Sequence, residues 1–271
     1  MRIYFVDSFT TEPFRGNPAA VVIQDKVLAD GLMQSIAQEI GFSETAFLSK
    51  EGCNKYSLRW FSPTTEVGLC GHASLATAKV FFTNIHPEMK SVDFFTKYGK
   101  LSCYQEGKNI RMDFPYDKLN RLAIYDKIKD YFAFPINKSI FFSKINRYLS
   151  IQIDDSEDLT NLKINSEDLM SLNRIVPQIR GLIISNQNRG NVQIRFFDPW
   201  EGIAEDPVTG SAALVVSELW FDILQKDYFE LHQLSKRGGK MFIQKEKECV
   251  SIIGSAKIVL EGKLKVGKNG E

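Results

Sequence analysis

The residues RWFSPTTEVGLCGHA at positions 59–73 decide the fold, because RFFDPWEGIAEDPVTGSA at 195–212 repeats them. Each stretch runs from an arginine and two aromatic residues through a proline and a glutamate to a glycine with small or polar neighbours. The two arginines lie 136 residues apart and the glycines, Gly71 and Gly210, lie 139 apart, so the second copy holds three extra residues. A repeat with a period near half the chain predicts two lobes of one fold.

Length and composition agree with two lobes of moderate size. The chain has 271 residues, of which 44% are hydrophobic and 25% are charged, as in ordinary globular proteins. We expect an N-terminal lobe at 1–118 and a C-terminal lobe at 119–271, each large enough to bury a core. A site between two such lobes would take one glycine-led helix start from each of them.

Strand patterns dominate each half of the sequence, and helical patterns are few. Short runs rich in β-branched and aromatic residues predict strands at 2–9, 45–49, 56–61, 90–96, 101–106 and 109–114. Apolar residues at helical spacing predict a helix at 29–40. At 71–82 and 210–224, small or apolar residues would occupy almost every face of a helix, which predicts two buried helices. The predicted fold class is therefore α+β, with two pseudo-symmetric lobes that each curl a mainly antiparallel sheet around a central helix.

Charge, hydropathy and cysteine usage argue against several classes of protein. The net charge is +1, which indicates no nucleic-acid partner, and no apolar run approaches the roughly 18 residues of a membrane span. Four dispersed cysteines without CxxC spacing predict a reducing, cytoplasmic setting. Three histidines without acid partners at ligand spacing predict no metal site, and the lack of glycine-rich nucleotide motifs predicts no nucleotide cofactor.

The two glycine-led helix starts are candidate anion-binding sites. A glycine lets a ligand approach the backbone closely, and the first N–H groups of a helix favour a carboxylate or a phosphate. Gly71 and Gly210 could instead serve only the close packing of buried helices. The duplication favours binding, because polar residues accompany both starts, His72 in one and Thr209 with Ser211 in the other.

Glu44 is the candidate proton carrier. It lies at the entry to a predicted strand, ahead of an apolar run, where desolvation would raise the pKa of the carboxyl group toward the range of a general acid/base. The repeat places Arg180 at the equivalent position, so the acid exists in one lobe alone. A solvated glutamate at a strand edge is the alternative interpretation.

Further polar residues could contact a substrate, and each has a structural alternative. Asp206 could accept a hydrogen bond from an amine or hydroxyl group, or serve as a turn residue. His72 titrates near neutrality and can donate or accept a proton. The Asn17 amide, within a Gly-Asn-Pro turn, could orient a ligand. Cys70 has no histidine at a clear triad spacing, and its repeat equivalent is Thr209, so a pair of proton-transferring cysteines is absent from these positions.

Taken together, these motifs resemble the phenazine-biosynthesis isomerase (PhzF-like) family, whose fold is similar to that of diaminopimelate epimerase. The resemblance spans residue 2 to about residue 221 and is carried by 6–10, 13–21, 43–47, 71–73 and 205–212. It implies that Glu44 is the catalytic acid/base and that no metal or organic cofactor takes part. It also implies a homodimer. Residues that it places against the substrate are His72, Asp206 and Ser211, with Gly71 and Gly210 at the helix starts that hold the carboxylate.

One departure from the family pattern concerns Cys70. The phenazine enzymes proper tend to have a smaller residue there, whereas the diaminopimelate epimerases have a cysteine. Those epimerases use a second cysteine as its partner, and this chain has Thr209 at that second position. The departure favours proton transfer by one carboxylate over a two-thiol racemase, and a substrate outside phenazine synthesis.

The sequence therefore leads to three functional hypotheses. The first is a cofactor-independent isomerase or epimerase that moves a proton between carbons of a small carboxylate-bearing metabolite, with Glu44 as general acid/base. The second is an amino-acid epimerase that uses Cys70 with an acid. The third is a protein that has lost catalysis and binds an anionic metabolite.

Overall fold

The computed structural model describes residues 1–52, 55–132, 134–136, 139–154 and 159–265. The chain divides into two compact units, which we call the first unit (Met1–Asp113 with Ile252–Glu271) and the second unit (Phe114–Ser251). The sequence expectation of 1–118 and 119–271 does not include this return to the first unit. The return follows from strand pairing, because the last strand of the chain completes a sheet beside the first strand.

Strands are the main elements of both units. The strands are β1 (Arg2–Ser8), β2 (Asn17–Gln24), β3 (Thr45–Lys50), β4 (Tyr56–Phe61), β5 (Glu66–Val67), β6 (Ser91–Thr96), β7 (Gly99–Glu106), β8 (Asn109–Phe114), β9 (Leu119–Arg121), β10 (Ile140–Ser143), β11 (Tyr148–Gln152), β12 (Gly181–Asn188), β13 (Asn191–Phe197), β14 (Tyr228–Gln233), β15 (Gly239–Lys245), β16 (Val250–Gly254) and β17 (Ala256–Lys263). The α-helices are α1 (Asp30–Ile40), α2 (Gly71–Val80), α3 (Tyr125–Ile128), α4 (Ser166–Ser171) and α5 (Gly210–Leu224).

The first unit is a mainly antiparallel sheet with two parallel steps. Strand β1 pairs antiparallel with β2 and β17, and β3 pairs antiparallel with β4. Strands β6, β7 and β8 also pair antiparallel in sequence order. The parallel pairs are β2 with β3 and β4 with β6. Each parallel pair brackets a helix, α1 or α2, because parallel neighbours need a long crossover connection.

The second unit repeats this order of elements. Strand β11 pairs parallel with β12 across α4, and β13 pairs parallel with β14 across α5. The remaining pairs in this unit, β9–β10, β10–β11, β12–β13 and β14–β15, are antiparallel. The α+β fold with two pseudo-symmetric lobes, each a mainly antiparallel sheet around a central helix, is thus confirmed at the level of topology.

Helix α2 is the central helix of the first unit and is buried on almost every side. Its hydroxyl groups are satisfied within the helix, since Ser74 Oγ donates to the carbonyl of Cys70 at 2.5 Å and Thr77 Oγ1 donates to that of Ala73 at 2.7 Å. The sheet comes so close that a Cβ atom on Gly254 would lie 3.1 Å from the Leu75 side chain. This packing explains why the helix lacks the one-sided apolar pattern of a surface helix.

The predicted strands and helices of the first unit are observed, but the patterns did not predict β2, β5 or β17. Helix α1 ends at Gly41, which has φ +70°, as the stop predicted there requires. Strand β2 was not predicted, because its sequence NPAAVVIQ begins with a turn-like Asn-Pro pair and is buried on both faces without alternation. Among the described residues, no helix has both the length and the apolar character needed to cross a lipid bilayer.

Candidate active site

Helices α2 and α5 begin in the same way. The residue before each glycine, Cys70 or Thr209, has an extended backbone, with φ −136° and −119° respectively. In neither case does the side chain of that residue cap the helix. The side chains of Cys70 and Thr209 therefore leave the first N–H groups of their helices uncapped. Such an arrangement favours an anion at a helix start.

A bidentate ion pair stabilises the loop ahead of each helix start. Arg59 donates to both carboxylate oxygens of Glu66, at 2.7 and 2.9 Å, and Arg195 donates to those of Glu205 at the same distances. Each arginine also lies over the aromatic ring two residues further along its strand, at 5.1 Å in the first unit and 4.8 Å in the second. The repeat seen in the sequence is therefore a repeat of contacts.

Glu44 and His72 meet in the first unit. Glu44 directly precedes β3, and its Oε2 lies 3.1 Å from Nε2 of His72, the second residue of α2. The two side chains are 18% and 7% exposed, so the pair is largely removed from water. Glu44 is consequently not a solvated strand-edge residue.

Four neighbours position the His72 ring and its backbone. Ser43 Oγ lies 3.3 Å from Nε2, and Asn17 Nδ2 lies 3.2 Å from Nδ1. Cys70 Sγ lies 3.5 Å from Nδ1 and 3.8 Å from Nε2. Ser8 Oγ donates to the His72 carbonyl at 2.7 Å, which ties the first turn of α2 to the end of β1.

The protonation states follow from burial and from this pairing. Burial raises the pKa of Glu44, but the charge of His72 and hydrogen bonds from His72, Ser43 and Cys70 outweigh it and lower the pKa below its ordinary value. Burial lowers the pKa of His72, and interactions with Cys70 and Glu44 raise it well above its ordinary value. The sequence prediction of a raised pKa for Glu44 is wrong in direction, because the strand pattern does not reveal the histidine.

Cys70 is a protonated thiol in this arrangement. Burial, followed by the charge of Glu44, raises the pKa of Cys70 to about 11. The sequence interpretation that Cys70 lacks a histidine partner is also wrong, since the side chain of His72 turns back toward it from two residues further along.

Asp206 and Thr209 form the corresponding cluster of the second unit. Thr209 Oγ1 donates to Asp206 Oδ2. Gln233, which is 1% exposed, donates through Nε2 to the Asp206 carbonyl at 2.7 Å and accepts from the Thr209 N–H at 2.7 Å. The side chain of Gln233 thus closes the loop that leads into α5.

Ser211, the second residue of α5, is paired with a buried tyrosine. Its Oγ lies 3.3 Å from the Tyr148 hydroxyl. Burial raises the pKa of Tyr148, so the phenol stays protonated and can act as a hydrogen-bond donor. Directly after β13, burial and the charge of Glu201 raise the pKa of Asp198 to about 7.

The structure groups the predicted site residues by unit. Asn17, Glu44, Gly71 and His72 lie together in the first unit, with Cys70 added, and Asp206, Thr209, Gly210 and Ser211 lie together in the second. Sequence reasoning missed some residues of both clusters. Ser8 and Ser43 lie within 6–10 and 43–47, two of the motifs that carry the family resemblance, so the sequence did point to them. No motif or repeat pointed to Tyr148 and Gln233 in the second unit.

One group of residues in the first unit could hold a metal ion. Single ligand atoms of Glu44, Cys70 and His72 all lie within 4.8 Å of one another. Spacing along the chain predicts no such site, because Glu44 is far from the other two in sequence and comes to them only through the fold.

Comparison with known proteins identifies the family. The family model described as phenazine biosynthesis-like protein (PhzC-PhzF) matches residues 6–262. The chain belongs to this family. It is 38% identical over 283 residues to the phenazine biosynthesis-like domain-containing protein 1 of Mus musculus, with 97% of this chain and 98% of that protein covered. It is 35% identical to an uncharacterized isomerase of Halalkalibacterium halodurans, with 97% of each chain covered.

Solved structures of PhzC-PhzF proteins have the same fold. A PhzF-family protein of Enterococcus faecalis superposes with a TM-score of 0.90 at 33% identity, covering 98% of this chain and 99% of that one. A probable proline racemase of Agrobacterium radiobacter superposes with a TM-score of 0.59 at 13% identity over 99% and 94% of the two chains, a likeness of fold alone. Of the relatives above 30% identity, the Halalkalibacterium halodurans protein is named as an isomerase.

Proposed function

We propose that this protein is a cofactor-independent isomerase that moves a proton between carbon atoms of a small carboxylate-bearing metabolite, with Glu44 as general acid/base. The observation that carries the proposal is the buried Glu44–His72 pair, 3.1 Å apart, at the start of α2. A buried carboxylate beside a protonated histidine can take a proton from one carbon atom of the substrate and return it to another. The reaction needs at least this step.

The lowered pKa of Glu44 sets its starting state. The carboxyl group is ionised at neutral pH, so it begins the cycle as the base. His72 is its protonated neighbour and offsets the negative charge, and it would become the natural hydrogen-bond donor to a substrate oxygen once Glu44 is protonated. The N–H groups at Gly71 would stabilise negative charge that develops on the substrate, a term that often contributes most to catalysis.

We propose that the second unit contributes binding of the substrate. The N–H groups at Gly210 and the hydroxyl of Ser211, supported by Tyr148 at 3.3 Å, would bind a carboxylate. Asp206 and Thr209 would bind a substrate amine or hydroxyl group, and Asn17 in the first unit would orient the ligand. Support for these roles comes from the burial and mutual hydrogen bonding of the residues.

Cys70 supports a second candidate function, an epimerase in which the thiol also transfers a proton. The observation in its favour is the 3.5 Å approach of Cys70 Sγ to His72 Nδ1. The observation against it is the pKa of about 11, which leaves little thiolate to act as a base.

Exchange of substrate hydrogen for deuterium tests both candidates. Wild type, Glu44→Gln and Cys70→Ser would be incubated in D₂O with cyclic and linear amino and hydroxy acids, including a dihydro-hydroxyanthranilate, and read by proton NMR. We expect exchange at carbon in wild type and Cys70→Ser, and none in Glu44→Gln. Exchange that survives in Glu44→Gln would refute the role of Glu44, and exchange lost in Cys70→Ser alone would favour the thiol mechanism.

Absence of exchange together with ligand binding would favour the non-catalytic hypothesis. A thermal-shift titration with the same carboxylates detects such binding, because a ligand of the folded state raises Tm.

We further propose that the protein works as a cytoplasmic homodimer in a biosynthetic process. The described cysteines Cys70 and Cys103 form no disulfide, which suits a reducing compartment. The dimer follows from the resemblance to the family, and light scattering on purified protein would test it.

A further inference from the structure

Three residues with different ligand atoms converge at the start of α2. Glu44 offers a carboxylate oxygen, Cys70 a sulfur and His72 a ring nitrogen, all within 4.8 Å of one another. Cys70 and His72 are buried and Glu44 is mostly so. Among the residues that the structure describes, no other set of three histidine, cysteine or acidic residues meets this spacing.

The distances between these atoms match the edges of a small metal tetrahedron. With usual bond lengths around Zn²⁺, tetrahedral angles place a nitrogen and an oxygen ligand about 3.4 Å apart and a sulfur and a nitrogen ligand about 3.6 Å apart. The observed values are 3.1 Å from His72 Nε2 to Glu44 Oε2 and 3.8 Å from His72 Nε2 to Cys70 Sγ. These two distances differ from the tetrahedral values by about 0.3 Å or less, and the third distance, between the Glu44 carboxylate and Cys70 Sγ, is within 4.8 Å.

We propose that Glu44, Cys70 and His72 form a site for a borderline-soft divalent cation such as Zn²⁺. The Cys70 sulfur, the Glu44 carboxylate and a His72 ring nitrogen would bind the cation, and a water molecule would complete the fourth position of a tetrahedral site. Because a metal-bound cysteine is a thiolate, the proton of the thiol would be released to solvent as the cation binds.

The donor set predicts which cations bind. A thiolate and an imidazole prefer Zn²⁺, Co²⁺ and Cd²⁺ to Mg²⁺, which requires oxygen ligands. The other histidine–carboxylate pairs of the chain, His86 with Glu88 at 2.8 Å and His232 with Glu230 at 2.9 Å, are more exposed and belong to no such three-ligand group among the described residues. These two pairs therefore serve as controls: a substitution in either of them should leave cation binding unchanged.

The consequence for activity rests on the proposed function. A bound cation would occupy the Glu44 carboxylate, so proton transfer would stop. The site would thus make the enzyme sensitive to inhibition by Zn²⁺, in competition with substrate.

Cobalt titration of the purified, metal-free protein tests the site without using activity. Co²⁺ bound to a thiolate gives a charge-transfer absorption band, and Zn²⁺ added afterwards displaces Co²⁺ and abolishes the band. We expect one equivalent of Co²⁺ per chain and no effect of Mg²⁺. Cys70→Ser and Glu44→Gln should weaken binding by at least about 10-fold, while Cys249→Ser and His232→Gln should leave it unchanged.

The outcomes separate this inference from the proposed function. No thiolate band, or equal cobalt affinity in wild type and Cys70→Ser with both folded by circular dichroism, would overturn the metal site even if hydrogen exchange at carbon is observed. A band lost in Cys70→Ser would establish the site even if no carboxylate in the panel exchanges hydrogen. Zn²⁺ inhibition of exchange that persists unchanged in Cys70→Ser would show inhibition at another place and would refute the stated consequence.

Discussion

The two units build the same frame and fill it with different chemistry. In each, an arginine–glutamate pair fixes the loop ahead of a glycine-led buried helix, with matching distances of 2.7 and 2.9 Å. The first unit then adds Glu44, and the second has Arg180 at the equivalent position, a half-exposed residue paired with Glu201. The two units therefore share the glycine-led helix start, and they differ in the residue at the position of Glu44.

The difference extends to the residues that fix each helix start. In the first unit the neighbours of α2 are ionisable, Glu44, Cys70 and His72. In the second the neighbours of α5 include Asp206, but its partners Thr209 and Gln233 are neutral hydrogen-bonding groups. We infer that the first unit is suited to moving a proton and the second to binding without exchanging one.

The largest expected effect comes from breaking this asymmetry at Glu44. Glu44→Gln removes the carboxylate but keeps the shape, and should lower the rate of hydrogen exchange at carbon by about 100- to 10,000-fold. The matched control is Arg180→Gln at the equivalent position, whose exposed side chain should change the rate very little. Comparable losses in both variants, measured by NMR, would contradict the assignment of proton transfer to the first unit.

The arginine–glutamate pairs should differ in stability despite their equal distances. The Arg195 side chain is 12% exposed and also donates to the carbonyls of Leu159 and Leu162, whereas Arg59 is 23% exposed and its second partner, Asp30, is 78% exposed. We expect Arg195→Met to lower the free energy of unfolding by about 3 kcal/mol and Arg59→Met by about 1 kcal/mol. Urea unfolding followed by circular dichroism measures both, and an equal loss would argue against burial as the cause.

The two helix starts should also respond differently to loss of their supporting hydrogen bonds. Gln233→Leu removes three bonds around Asp206 and Thr209 and should cost about 2–3 kcal/mol, whereas Ser8→Ala removes one bond to the His72 carbonyl and should cost about 1 kcal/mol. If Gln233 only packs, Gln233→Met, which keeps a similar volume, will be as stable as wild type. If it positions the loop through hydrogen bonds, Gln233→Met will lose about as much stability as Gln233→Leu.

The first unit should also show a dependence of stability on pH. The pKa of Glu44 is lowered from its ordinary value of 4.5, so its stabilising contribution is present above that value and is lost as the pH falls through the folded-state pKa. The pKa of His72 is raised above its ordinary value of 6.5, so its contribution is complete below pH 6.5 and is lost as the pH rises to the folded-state pKa. The pair should therefore stabilise the fold most between these two ordinary values.

His72→Gln tests that pH dependence. In wild type the free energy of unfolding should decline above pH 6.5 by up to about 1.4 kcal/mol per pH unit for this one proton. The variant should lose that decline and show a flatter profile, measured by urea unfolding from pH 5 to pH 9. A wild-type profile that rises over this range, or one that His72→Gln leaves unchanged, would contradict the raised pKa.

Much of the fold followed from local patterns in the sequence. The α+β class, the central helices that begin at Gly71 and Gly210, and the strands Tyr56–Phe61 and Asn109–Phe114 appear where the patterns predict them. These elements are set by periodicity, by glycine at helix ends and by the internal repeat, all of which act over short stretches or can be compared within one chain. Strand β2, fully embedded and led by Asn-Pro, gives no such signal.

The sequence by itself determined the frame and named Glu44, His72 and Asp206 as candidates for chemistry, because the repeat separates shared residues from those unique to one half. Only the tertiary structure decided how these groups are charged. The pKa of Glu44 is lowered and not raised, and Gln233 closes the Asp206 loop, because atoms more than 25 residues apart in the chain lie within about 4 Å of each other in the fold. Burial and charge act through space, so local patterns along the chain do not contain them.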